Sequence, residues 1–74
     1  MKSAIAENVK QIINTRGLKQ YIVAEKAGYP MQTFNNMLNG RKVITDYDVA
    51  KIANALNVTP NELFRINKKL VTKQ

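Results

Sequence analysis

Every apolar-periodic stretch in this chain is short. The first four are stopped by residues that tolerate positive φ: Gly17, Gly28, the pair Asn39-Gly40, and Asn57. Such punctuation predicts several short helices joined by short turns, the pattern of a compact helical bundle. No β alternation, internal repeat or low-complexity stretch competes with it.

The apolar spacing places five helices. Ile5, Val9, Ile12 and Ile13 fall on one face of a first helix from about Ser3, its cap, to Arg16. Glu7, Lys10, Gln11 and Asn14 take the wet side. A second helix runs from about Lys19 to Ala27, with Val23, Ala24 and Ala27 as a narrow apolar stripe. A third begins near Pro30, a residue suited to the first helical position, and ends near Leu38, with Phe34, Met37 and Leu38 turned inward. Arg41 to Ile44 form a loop. Thr45 caps a fourth helix, with Asp46 and Asp48 in its first turn and Val49, Ile52, Ala53 and Leu56 on its apolar face. Thr59, Pro60 and Glu62 start a short fifth helix whose apolar face is Leu63, Phe64 and Ile66. Residues 1–66 read as one domain and 67–74 as a basic tail.

Composition narrows the chemistry. Hydrophobic residues make up 45% of the 74, enough for one packed domain. Cysteine is absent, which excludes a disulfide scaffold, a thiolate zinc site and a cysteine nucleophile. Histidine is absent too, and the five acids are scattered, so no triad, metal cluster or phosphate-cradling loop can be assembled. The chain reads as a non-enzyme with no cofactor and no metal. Twelve Lys and Arg give a formal charge of +7, a field that favours a polyanion: DNA, RNA or an acidic membrane surface. No apolar run approaches a membrane span or a signal peptide, and a cytoplasmic location fits.

The segment from Gln20 to Asn39 concentrates the functional signal. Two helices of under ten residues meet at a turn that needs a small residue, Ala24, and a residue free to take positive φ, Gly28. Val23, Ala27, Tyr29, Phe34 and Met37 hold the two at a fixed angle. In such a unit the second helix projects and fits the major groove of DNA.

Three blocks then carry a family likeness. They are Leu18 and Gln20 with Val23-Ala24-Glu25-Lys26-Ala27-Gly28; Asn39-Gly40-Arg41-Lys42; and Val49 to Pro60 followed by Glu62-Leu63-Phe64. In this order and spacing the chain resembles the Cro/C1-type helix-turn-helix of phage repressors and bacterial regulators, across roughly residues 5 to 66. The resemblance implies a compact, all-α, five-helix lambda-repressor-like bundle. It implies sequence-specific binding of double-stranded DNA and a role as a transcriptional regulator, a repressor in particular. It places Met31, Gln32, Asn35 and Asn36 toward base edges. Gln20 would touch a phosphate and brace the recognition helix. Lys19, Thr33, Asn39, Arg41 and Lys42 would meet the DNA backbone.

The residue chemistry agrees. Asn and Gln make bidentate contacts to adenine N6 and N7, and Met31 can pack on a thymine methyl, so the expected half-site leans toward A·T. No charged residue lies between Pro30 and Asn39, whereas Lys19, Lys26, Arg41 and Lys42 surround that helix. Phosphate contacts that position and neutral amides that read sequence would divide in this way. By contrast, Lys10, Lys26 and Lys51 read as ordinary surface charge.

The chain departs from the family pattern in places. Lys19 stands where a capping Thr or Ser is common, and Pro30 replaces a frequent Ser or Thr at the start of the reading helix. Tyr21 and Ile22 are apolar where polar residues are usual. With Leu70 and Val71 they would form the interface of the alternative reading, a protein-binding antitoxin or anti-repressor. With 74 residues there is no room for a separate oligomerisation domain, so the expected dimer is weak, forms mainly on DNA and uses Leu63, Phe64, Ile66 and Leu70.

Overall fold

The computed structural model describes residues 4–65, which form five helices. These are α1 (Ala4–Arg16), α2 (Gln20–Ala27), α3 (Met31–Leu38), α4 (Asp46–Leu56) and α5 (Pro60–Phe64). No strand occurs among the described residues, so the all-α, five-helix expectation holds. None of these helices is long and apolar enough to cross a membrane. Ser3, Ile66, Leu70, Val71 and the tail 67–74 lie outside the described residues.

One core joins all five helices. α1 supplies Val9 and Ile13, α2 Val23, Ala24 and Ala27, α3 Phe34, Met37 and Leu38. α4 adds Val49, Ile52, Ala53 and Leu56, and α5 adds Leu63. Among the described residues the core buries no polar or charged side chain, so burial meets no desolvation penalty there. Each large buried side chain contributes about 1.5–3 kcal/mol by leaving water. α2 packs on α4 and α3, and α1 packs on α3 and α5. The helix-turn-helix pair is therefore gripped from two sides. Ala24 is 1% exposed, as expected of a small residue where helices approach closely.

Helices α1 to α4 end in the same way. At the close of α2, Gly28 N–H donates to Glu25 O at 3.1 Å and Tyr29 N–H donates to Ala24 O at 2.9 Å. This paired closure satisfies carbonyls that the helix leaves open, and it puts Gly28 at φ +87°. Asn57 closes α4 likewise, at φ +60°, and is a non-glycine residue that tolerates the left-handed region.

Side chains brace two further helix ends. Arg16 Nη1 donates to Leu56 O at 2.7 Å, placing a cation at the negative end of α4. Asn8 Nδ2 donates to Leu63 O at 2.8 Å and to Arg65 O at 2.6 Å, tying the end of α5 to α1. At the start of α4, Asp48 N–H donates to Thr45 Oγ1, and Thr45 N–H donates back to the Asp48 carboxylate, as the sequence predicts.

Two expectations need correction. Pro30 is not the first residue of α3 but the residue before it, with ψ 148°. Its carbonyl still accepts the first helical bond, from Phe34 N–H at 3.0 Å. Phe64 does not share the buried face of Leu63: it is 50% exposed, whereas Leu63 is fully buried. α5 packs against α1 and α4, and Leu63 takes the side turned to them, whereas Phe64, about 100° further round the helix, falls outside that contact.

Candidate nucleic-acid interface

The outer side of α3 carries the neutral polar residues. Met31, Gln32 and Asn35 are exposed and Asn36 is half-buried, while Phe34, Met37 and Leu38 are buried. At about 100° per residue, Met31, Asn35, Gln32 and Asn36 span an arc of about 140°. Thr33 lies beyond that arc and is half-buried. The helix contains no acidic or basic side chain in its first or last turn.

A carboxamide network ties this face to α2 and to the end of α3. Gln20 Nε2 donates to Asn35 Oδ1 at 3.3 Å, and Asn39 Nδ2 donates to the same oxygen at 3.3 Å. Gln20 thus links the start of α2 to the exposed side of α3. Asn39, expected only near the DNA backbone, also joins this network.

The cations frame the same helix. Arg41 N–H and Lys42 N–H both donate to Asn36 O, at 2.9 and 3.2 Å, so the turn after α3 holds two basic residues against its end. Both side chains are exposed. Lys19 precedes α2 with extended backbone and no side-chain cap, in line with the missing Thr or Ser. Lys19 and Gln20 border an open cavity of about 340 Å³, and Lys10 and Asn14 line it from α1. The fold therefore brings Lys10 to the start of α2, although periodicity alone reads it as surface charge. Its contact to Glu7 is a 3.6 Å surface pair, which restrains it little.

Tyr29 lies in the turn between α2 and α3 and is half-buried. Its ring stacks on Phe34 with centroids 6.2 Å apart, and Lys51 Nζ lies 4.6 Å from its ring centre. Its hydroxyl donates to Asp48 Oδ1. Burial, together with the Asp48 hydrogen bond and charge, raises the phenol pKa well above its ordinary value. For Asp48, burial raises the pKa, but hydrogen bonds from Tyr29 and Thr45 and the nearby Lys42 charge outweigh it and hold the carboxyl below its ordinary range.

Comparison with protein families matches the Cro/C1-type HTH DNA-binding domain over residues 8–69, most of the chain. The chain belongs to that family. Comparison with curated proteins and with solved structures gives no significant match. Family membership supports DNA binding and a part in transcription regulation, and the helix-turn-helix is α2 with α3.

Two features of this surface escape sequence reading. The double acceptor role of Asn35 depends on three side chains meeting, and periodicity carries no signal of that. Val43 and Tyr47 are 78% and 84% exposed, next to the basic turn. Val43 lies within the loop Arg41 to Ile44, and Tyr47 lies in the first turn of α4 just after it.

Proposed function

We propose that this Cro/C1-type protein is a sequence-specific repressor whose α3 enters the major groove of an operator. The observation that carries the reading is the neutral, exposed carboxamide face of α3 inside a cationic frame. Met31, Gln32, Asn35 and Asn36 would face base edges, and Lys19, Gln20, Thr33, Asn39, Arg41 and Lys42 would face the backbone. Lys10 joins that frame through the cavity it shares with Lys19.

Two copies on a pseudo-palindrome would set their α3 helices about 34 Å apart, one per major-groove face. The exposed Phe64, half out of the core, is available to a dimer contact, which would form weakly and mainly on DNA. Occupying the operator would block polymerase. Residues 1–66 act as the binding domain in this reading, with 67–74 adding phosphate contacts.

Binding titrations on a selected site test the assignment. Gln32→Ala and Asn36→Ala should each cost about 1–3 kcal/mol on that site and relax base preference. Arg41→Ala should weaken all sequences alike and lower the salt slope by about one. Unchanged specific binding in both α3 variants would remove α3 as the reader.

A partner-protein role has one observation in its favour: Tyr21 and Ile22 are 55% and 36% exposed on α2. Tyr21→Ser with Ile22→Ser would then abolish partner capture and leave DNA binding intact.

A further inference from the structure

We infer that Gln20 and Asn39 fix the polarity of Asn35, so that it offers the DNA a donor and no acceptor, and reads guanine rather than adenine. This deepens the DNA-reading assignment of α3 and rests on it.

A carboxamide oxygen has two lone pairs, and its nitrogen carries two hydrogens. Both donors reach the same oxygen of Asn35: Gln20 Nε2 from the start of α2 and Asn39 Nδ2 from one helical turn away. The oxygen is thereby saturated. What remains for a partner is the Asn35 Nδ2 group, with two N–H donors on an exposed residue.

A free asparagine recognises adenine by donating to N7 and accepting from N6–H₂. Asn35 lacks the acceptor half of that pairing. Facing adenine, it would leave the base amino group without a partner, and buried unpaired donors are costly. Guanine presents two adjacent acceptors, N7 and O6, in the major groove. Two N–H donors match that edge. One position of the half-site should therefore carry guanine, against the general A·T lean that Asn and Gln suggest. Gln20 and Asn39 act as positioning residues here, through Asn35.

The test is site selection from random duplexes with the full chain and with variants, read as base frequency at each position. Thermal melts confirm that each variant folds. In the wild type, one position should prefer guanine over adenine by about tenfold, and Asn35→Ala should erase preference at that position alone. Gln20→Met combined with Asn39→Ala frees the oxygen and should move that position toward adenine by about fivefold or more. Asn35→Asp presents an acceptor in place of the amide and should move it toward cytosine. These changes of identity separate a polarity effect from a loss of affinity, which any structural role would give.

Adenine at the Asn35-dependent position of the wild type would overturn the inference, since the carboxamide would then sit the other way round. So would an unchanged profile in the double variant. Uniform weakening of all sequences by Asn35→Ala would show a phosphate contact instead and equally overturn it. A wild type that selects no motif would remove the DNA-reading assignment itself, whereas a selected motif with no polarity change removes only this inference.

Discussion

The Tyr29 hydroxyl donates to the carboxylate of Asp48, joining the turn of the helix-turn-helix to the first turn of α4. The two residues are 19 apart in sequence. Asp48 also accepts from Thr45 N–H and Thr45 Oγ1, both at 2.9 Å. One carboxylate therefore caps a helix and anchors the motif that presents α3.

Tyr29→Phe keeps the ring stacked on Phe34 and removes only the hydroxyl. It should lower stability by about 1 kcal/mol, the usual net contribution of one hydrogen bond. Urea unfolding at neutral pH measures this. No shift in midpoint would mean that solvent replaces the contact without cost.

Acid should weaken the fold through Asp48. Its carboxyl is held below the ordinary value of 3.8, so the unfolded chain binds this proton more readily than the folded one. The stabilisation is present above about pH 4 and is lost as pH falls below it. Tyr29 works at the other end of the scale. Its raised pKa means the unfolded chain loses the phenol proton first, so stability should decline above about pH 10. Unfolding midpoints across pH 2 to 11 give both limbs. In Tyr29→Phe the alkaline limb should shrink, and the acid limb should become shallower.

Gly28→Ala isolates backbone strain. A Cβ built there meets nothing within 4 Å, yet φ is +87°. The expected loss is about 1–2 kcal/mol, from the left-handed conformation alone. Stability comparable to the wild type would mean that the turn relaxes to another closure.

Leu63 and Phe64 should behave oppositely despite adjacency. Leu63→Ala opens a cavity under α5 and should cost about 2–5 kcal/mol. Phe64→Ser touches a half-exposed ring and should change stability by about 0.5 kcal/mol or less. It should instead weaken the cooperativity of operator binding, read from binding curves, if α5 meets its copy on DNA.

Much of this fold was legible in the sequence, because helix stops and apolar spacing are local. The capped start of α4 at Thr45 and the buried sets on α2 to α4 follow from them directly, whereas on α1 Val9 and Ile13 are buried as the spacing places them, Ile5 and Ile12 only partly, and Ala6 is buried in addition. Pro30 and Phe64 did not, since proline suits either side of a helix start and the side on which α5 is covered depends on how it packs against α1 and α4. The braces at Arg16, Asn8 and Tyr29 join residues 19 to 57 apart, distances over which spacing arguments have no reach. For the candidate interface, residue type and resemblance pointed to the α3 face and its cations. They did not reveal that the Asn35 oxygen was already occupied.

Selection of bound sites from a random duplex library at about 150 mM salt decides whether α3 reads sequence, because non-specific phosphate binding is weakened there. The expected result is a palindromic motif with half-sites about one helical turn apart. Salt-sensitive binding with no enriched sequence would contradict it and leave the charge as a non-specific field.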